Sequence, residues 1–541
     1  MKNKAVLFLI SIVLAIFTFP RIDAVIIPQL DTSYLLAYNY LFAHHTDYLQ
    51  YLTFTFGPLA LLRNPLPIGS NLALGILFQA LLQFSFIFTA LLAARSKKRN
   101  IIPFVLIVFF FAVLLSFDYY FYGLILFLIY FHQKDQSPRY IIWIAFITAL
   151  AALIKINIGL ISILIFGSYV LLQAFVYKKI NPLLYGLVFT VIFFVLFWLL
   201  IFGDLNHLWR YITSFITFST SNASALSMNP DNNWYWIISS LILFLLVPFL
   251  QNDKKTWWLY GSIFLAVYAS FKYAMAREDT FHIQTFMDFM LMVMFVLFII
   301  NRKLKVFPLV ILMLSLFFFY ENSFRLSTTE EIKRNMLSGF HNFSQQLWGM
   351  KKFRQSSLDT SLVKLDEKKL PEAVKNLIGE NTIDFYPWEV SYFLVNDLNY
   401  KPRPMLQSGS MPARIDRINA EYLAGEGSAE FMLWEFDQEY DGLTSYDERY
   451  QLNSEHLFLQ AFFNNYSLLI RDEDFALYKK TGDSLLKPPV HHSQDPCFFD
   501  EWIKVPDHPG GILKVGFRIA MTFIGELVKF LYKDTSFNID Y

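Results

Sequence analysis

The sequence predicts a polytopic α-helical membrane domain of about eleven spans, followed by a C-terminal extracytoplasmic α/β domain. Three observations carry that fold class. The 541 residues are 55% hydrophobic, with mean hydropathy +0.40 and heavy aromatic usage (59 Phe, 30 Tyr), which fits a polytopic membrane protein with a polar remainder. Apolar stretches approaching the roughly 20 residues a span needs recur as far as Tyr320, where hydropathy drops sharply. Basic residues gather in alternate loops. The net charge of +1 leaves no nucleic-acid footprint, so no nucleic acid is expected among the partners. The single Cys497 excludes an intrachain disulfide framework and a cysteine-based zinc site.

The eleven spans fall at about 5–20, 72–94, 101–116, 119–131, 140–154, 158–177, 182–202, 234–250, 257–271, 284–300 and 306–320. Lys2 and Lys4 ahead of the first give it the outline of a signal peptide. Phe17-Thr18-Phe19-Pro20-Arg21 stands where a small-x-small cleavage site belongs, so an uncleaved first helix is expected. With the N-terminus inside, the inner loops hold Lys97-Lys98-Arg99, Lys134 with Arg139, Lys178-Lys179, Lys254-Lys255, and Arg302, Lys303 and Lys305. Every inner loop is then basic, as orientation by positive charge requires. The outer loops, 21–71, 117–118, 155–157, 203–233 and 272–283, hold most of the unusual polar residues, and residues 321–541 fall outside.

This divides the chain into a multi-span domain at 1–320 with a catalytic outer loop at 21–71, a helical connector at 321–380, and an α/β domain with a β extension at 381–541. Glu330-Glu331-Ile332-Lys333-Arg334 reads as helix, in a connector packed on the membrane domain. Asn381–Pro387 reads as a strand ending in a turn, 388–398 and 411–424 as helices, and Ala429–Phe436 as an alternating strand. Residues 455–480 give a helix and two paired strands. Residues 500–541 alternate again and suggest the β extension. Lys514, Arg518, Glu526 and Lys529 argue against a twelfth span at 512–532. No internal repeat and no low-complexity segment is present.

The first outer loop carries Asp23, Asp31-Thr32-Ser33-Tyr34, Tyr38, His44-His45, Asp47, Tyr48 and Phe54–Leu59. Tyr34, Leu35, Tyr38, Leu41 and Phe42 recur at helical spacing, which predicts an amphipathic helix over 33–43 along the membrane interface. Asp31 stands where a helix N-cap belongs, so it is read both as a cap and as a functional carboxylate. Phe56-Gly57-Pro58 is expected to turn the chain back into the second span.

The sharper signal is Phe271-Lys272, Arg277-Glu278-Asp279 and His282 at the mouth of two spans. Ionisable groups there usually face a cavity or a partner. Lys272 and Arg277 suit an anionic phosphate, with Asp279 and His282 in support; the plain alternative is an ion-pair cluster with snorkelling side chains. Lys155, in Lys155-Ile156-Asn157, either snorkels or joins the same cavity as a further phosphate ligand. Asp118 is an additional acidic candidate. The polar loop 203–233 is a lid or a plain connector. No Gly-rich phosphate loop, nucleophile elbow or His-rich zinc spacing occurs, and the pairs His44-His45 and His491-His492 read as surface histidines.

Asp31-Thr32-Ser33-Tyr34, Asp47-Tyr48 and Phe56-Gly57-Pro58-Leu59, set between a first span and many further ones, resemble the first-loop pattern of the GT-C superfamily of membrane glycosyltransferases. The likeness covers residues 1–320. The family often pairs two acidic residues in this loop, whereas Thr32 follows Asp31, so a divalent metal is left open. The 271–282 cluster, Lys155-Ile156-Asn157 and Lys401-Pro402-Arg403-Pro404 with Gln407-Ser408 look like a bacterial branch of such proteins. The resemblance implies an integral protein of the bacterial inner membrane. Its donor would be a lipid-linked (polyprenyl-phosphate) sugar, and its acceptor a glycan, lipid or protein. Asp31 would be the general base, with Asp23 as runner-up, and Lys272, Arg277 and Lys155 would hold the leaving phosphate. Two other readings use the same residues: a transporter or flippase of a lipid-linked anionic glycan, and a non-catalytic membrane protein of envelope assembly.

Overall fold

A computed structural model describes residues 2–95, 101–225, 234–251, 257–300, 306–324, 338–408, 413–436, 444–445, 449–450 and 455–481, and beyond these 486, 494, 496, 515–516 and 520–531. The protein is mostly helical. Each of the eleven apolar stretches lies in a helix: Lys2–Phe17, Asn71–Arg95, Ile102–Leu114, Phe117–Asp135, Pro138–Ile154, Ile156–Phe175, Asn181–Phe202, Trp234–Gln251, Trp257–Arg277, Thr280–Ile300 and Phe307–Phe324. Proline pre-sets the first turn at Pro103, Pro138 and Pro182.

Among the described residues four helices are long and apolar enough to cross a membrane: Asn71–Arg95, Ile156–Phe175, Asn181–Phe202 and Thr280–Ile300. That is fewer than the eleven expected. Several others are short; Ile102–Leu114, at 13 residues, reaches only about 20 Å at 1.5 Å per residue. The membrane character rests also on what is exposed. Asn181–Phe202 turns Leu184, Leu187, Val191 and Leu200 outward, an apolar face that water would not tolerate on a soluble monomer. Thr280–Ile300 is the reverse case. It is buried along nearly its whole length among its neighbours, from Ile283 to Ile300.

Two of the basic loops adjoin at one end of the bundle, where Lys179 Nζ donates to Gln136 Oε1 at 2.8 Å. The remaining basic loops, with Lys97-Lys98-Arg99, Lys254-Lys255 and Arg302 to Lys305, lie outside the described residues, as do Glu330–Arg334, His491-His492 and Cys497.

At the other end the first loop departs from expectation. Its helix runs Leu30–His44, three residues earlier than the spacing predicts, and Gln29 is its N-cap residue without a side-chain cap bond. Asp31 therefore lies inside the first turn and is not the cap. Nor does Phe56-Gly57-Pro58 return the chain to the second span. It docks on the break between Pro138–Ile154 and Ile156–Phe175, with Gly57 N donating to Ile154 O (3.0 Å), Leu59 N to Leu153 O (2.9 Å) and Ile156 N to Thr55 O (2.9 Å). A β-carbon on Gly57 would collide with the Leu153 carbonyl, so this approach needs glycine. Of loop 203–233 the structure describes 203–225, and these are more ordered than either expectation. Residues 208–225 form a helix, Leu208–Ala225, whose Tyr211 hydroxyl donates to Ala152 O at 2.6 Å.

The described part of the connector packs beside the first two apolar helices. Phe343, Leu347, Met350 and Phe353 lie against Phe19, Ile22, Leu72 and Ile76, and the helix Met350–Lys364 follows. Beyond it lies a five-stranded sheet of order β2-β1-β3-β7-β6, built from β1 (Thr382–Tyr386), β2 (Asn399–Tyr400), β3 (Phe431–Glu435), β6 (Tyr466–Arg471) and β7 (Phe475–Lys480). A separate two-stranded pair, β4 (Thr444–Ser445) with β5 (Arg449–Tyr450), lies between β3 and β6 in the chain. β1 runs parallel to β2 and β3, and β7 antiparallel to β3 and β6. Strands buried on both faces read as continuous apolar runs, and β1 and β3 do. The exception is Asp384, neutralised at 3.0 Å by Arg403, both side chains being 1% exposed. Arg403 also donates to the carbonyls of Phe385, Pro387 and Leu406.

The sheet's two faces separate by the strand period of two. Tyr386, Met432 and Trp434 pack on the helices Ala413–Ala424 and His456–Asn465. Ile383, Phe385, Phe431 and Leu433 pack instead with Leu36, Ala37 and Leu41 of the first-loop helix. The first loop and the sheet thus share one hydrophobic core. The β extension is corrected where the structure describes it: 523–531 is a helix, Phe523–Leu531, too short to cross a membrane.

Candidate active site

The packing of the first loop on the bundle brings a set of charged and phenolic groups to one mouth. Arg63 grips Asp118 with two bonds, Nε to Oδ1 at 2.6 Å and Nη2 to Oδ2 at 3.1 Å, and its third nitrogen donates to Asn64 Oδ1 at 2.8 Å. The pair sits in a recess, with 25% and 16% of the two side chains open to solvent. A bidentate pair of this kind is strong and fixes geometry, and it spends the Arg63 charge on Asp118.

Lys155 stands beside it, in the break between two helices, where its backbone bridges Phe56 in antiparallel fashion. Its ammonium lies 5.0 Å from the centre of the Phe56 ring. Among the described residues no carboxylate lies within ion-pairing distance of it. Burial and the Arg63 charge push the Lys155 ammonium down to about 8, against the upward pull of Asp118 and Asp31. The cation is therefore held by the fold without a partner that cancels it.

Asp31 completes the mouth. It is exposed, and its Oδ1 accepts the Tyr34 hydroxyl at 2.7 Å. The Tyr34 ring leans on Phe56, with centres 5.5 Å apart, so the hydroxyl that orients Asp31 and the cation Lys155 share one aromatic support. Tyr273 lies within electrostatic reach of Arg63 and Asp118 on one side and of Arg277 and Asp279 on the other. It joins the first-loop group to the 277–282 turn.

Within that turn Asp279 is a hub. It accepts Arg277 Nε at 2.8 Å, His282 N at 2.9 Å and His282 Nδ1 at 2.8 Å. Burial pushes the Asp279 carboxyl up, but His282 and Arg277 outweigh it and hold the carboxyl below the usual carboxylate range. The turn closes through Glu278 at φ +57. Arg277, Asp279 and His282 thus form an ion-pair cluster, the plainer of the two sequence readings.

The other expected site residues fall outside this mouth. Lys272 Nζ donates to the Lys529 carbonyl at 2.5 Å, reaching the helix Phe523–Leu531. Five residues along a helix separate Lys272 and Arg277 by about 140°, so the two do not form one clamp; Tyr273, four residues before Arg277, takes that place. Asp23 accepts Val25 N at 3.2 Å in an exposed local turn and has no link to Asp31. Lys401-Pro402-Arg403-Pro404 is a structural joint: Arg403 neutralises Asp384, and the Pro404 carbonyl accepts Thr53 N at 2.7 Å.

Sequence reasoning missed Arg63, Tyr273 and Asp288. The available signals were single: an arginine in the loop 21–71 that the charge pattern places outside, and an aspartate within the apolar run of Thr280–Ile300. No group of three or more His, Cys, Asp or Glu able to hold a metal occurs among the described residues. The arrangement offers an exposed carboxylate oriented by a tyrosine, next to an uncancelled cation. That set can take a proton from one group while stabilising negative charge on another. No protein-family model matches the chain, and no curated protein matches it.

Proposed function

We propose that this chain is a membrane glycosyltransferase of GT-C type, moving a sugar from a polyprenyl-phosphate donor to a glycan, lipid or protein acceptor at the outer face of the membrane. The observation that carries the reading is the pairing of exposed Asp31, oriented by Tyr34, with Lys155, a cation without a carboxylate partner among the described residues, at one end of an apolar bundle. Asp31 takes the proton of the acceptor hydroxyl or amine. Lys155 stabilises the charge growing on the leaving phosphate, and the Arg63–Asp118 pair fixes the mouth around it. The first-loop resemblance supplies the reaction class.

The same reading takes all eleven apolar helices as crossings, the shorter ones spanning with help from interfacial residues. The N-terminus is cytoplasmic and the sheet extracytoplasmic, in the inner membrane of a bacterium. Basic loops around 134–139 and 178–179 support that orientation. The charged groups of the mouth gather at helix ends rather than at mid-bundle, which favours chemistry at the surface over passage through the membrane.

The test is sugar transfer by the purified, reconstituted protein. Asp31→Asn is expected to lower turnover by about 10²- to 10⁴-fold, while Asp23→Asn retains it. Full activity in Asp31→Asn would remove the base assignment.

A further inference from the structure

The outer sheet and the first loop enclose a second, chemically different site. A cavity of about 450 Å³ opens between Pro28-Gln29 and the carboxyl ends of β1 and β3. Its volume falls in the ~300–1,000 Å³ range of small-molecule sites. Its place is where open sheets with parallel strands usually hold ligands.

The wall carries more carboxylates than cations, which disfavours an anion. Lys368 and Lys369 are its only cations among the described residues, and both are spent on carboxylates: Lys368 on Glu435 and Lys369 on Asp366, each at 2.6 Å. Glu367, Glu389 and Asp474 also line it. Glu389 is 4% exposed. Its Oε1 accepts Ser33 Oγ at 2.7 Å and Ser391 N at 2.9 Å, whereas its Oε2 accepts nothing among the described residues and is available to a ligand. Trp388 and Tyr392 add aromatic wall. Carboxylate acceptors beside aromatic rings suit a molecule with several hydroxyls and an apolar ring face.

We propose that this cavity binds a saccharide, neutral or amine-bearing, through Glu389 and the Trp388 ring. A link between this sugar and the transfer reaction rests on the glycosyltransferase reading. Gln29 lines the cavity, and Ser33, which holds Glu389, shares the first turn of Leu30–His44 with Asp31. Two residues along the helix turn Ser33 about 200° from Asp31, so a sugar seated there lies across the first-loop helix from the proposed base, and the donor phosphate is held separately at Lys155.

The experiment measures binding of glucosamine, N-acetylglucosamine and maltose to the full chain in detergent by saturation-transfer NMR, with inorganic phosphate, followed by phosphorus NMR line broadening, as counter-probe. At least one sugar is expected to bind, about tenfold more weakly in Glu389→Gln and weakened also in Trp388→Ala. Trp388 is partly exposed, so its variant keeps the test open if Glu389→Gln fails to fold. Phosphate binding is expected to be the same in wild type and both variants. No sugar binding at millimolar concentration, sugar binding unchanged in the folded variants, or phosphate binding lost with them would overturn the proposal. Sugar binding without donor turnover would sink the transferase reading and leave the cavity standing. Turnover by a protein that binds none of the sugars would sink the cavity alone.

Discussion

Lys155 is unfavourable where it stands. Burial and Arg63 bring its ammonium down to about 8, below the free lysine value. With the folded pKa depressed, the stability linked to this group is present above the free value and is lost as pH falls through about 8. At neutral pH the protein therefore carries a charge that weakens it. Lys155→Met is expected to raise the melting temperature at pH 7 while weakening donor binding, which a purely structural lysine would not do. In wild type, turnover should fall as the cation is lost, by about half at pH 8 and roughly tenfold at pH 9; a profile flat to pH 10 would count against the phosphate role. Asp384 and Arg403 are charges of the opposite kind, buried and paired with each other. Arg403→Ala leaves Asp384 uncompensated and is expected to cost about 3–5 kcal/mol, measured as loss of the sheet's cooperative unfolding. Lys155 was visible in the sequence as a lone cation in an apolar run. The partnership of Arg63 with Asp118 was not, because 55 residues separate them.

Local periodicity located the elements and left their junctions open. Ala413–Ala424, His456–Asn465 and the strands β1, β3, β6 and β7 follow the expected pattern closely, since each contributes to one or both of the cores on the two faces of the sheet. The first-loop helix begins earlier than its spacing suggests because Gln29 takes the cap position and its first turn is held from outside, Ser33 by Glu389. The turn at Phe56-Gly57-Pro58 was legible as a turn, but its docking on Lys155 depends on a helix break about 100 residues further along the chain. Gly57 is the residue that permits it. Gly57→Val should cost roughly 2–4 kcal/mol and also release Lys155 from Phe56. The expected result is a lower melting temperature together with weaker donor binding; a drop in stability with donor affinity intact would separate the turn from the site.

In the whole molecule, the sequence reading drew a boundary at 320 and a second at 380, and the hydrophobic core crosses both. Leu36 and Leu41 of the first loop pack with Ile383 and Phe385 of the sheet, a contact between segments far apart in the chain that no local pattern encodes. Glu389 is the polar tie across the same seam. Burial pushes its carboxyl up to about 7, helped by Glu435 and opposed by Ser391 and Ser33. A carboxyl whose folded pKa is raised gives stability that is present below the free value near 4.3 and lost as pH rises through about 7. The other charged groups at that wall are Glu367, Lys368, Lys369, Glu435 and Asp474. Wild type should lose stability between pH 5 and 8, and Glu389→Gln should lose less over the same interval; equal slopes would show that Glu389 does not govern the seam.

The account centres on one mouth, where Asp31 acts on the acceptor and Lys155 on the phosphate. The most direct measurement is an experimental structure of the Asp31→Asn protein with a polyprenyl-phosphate sugar bound in a lipid nanodisc. The account predicts the phosphate within ion-pairing distance of Lys155, with the sugar directed toward residue 31. A phosphate bound at Lys272, or at the end of the bundle that carries Lys178 and Lys179, would contradict it.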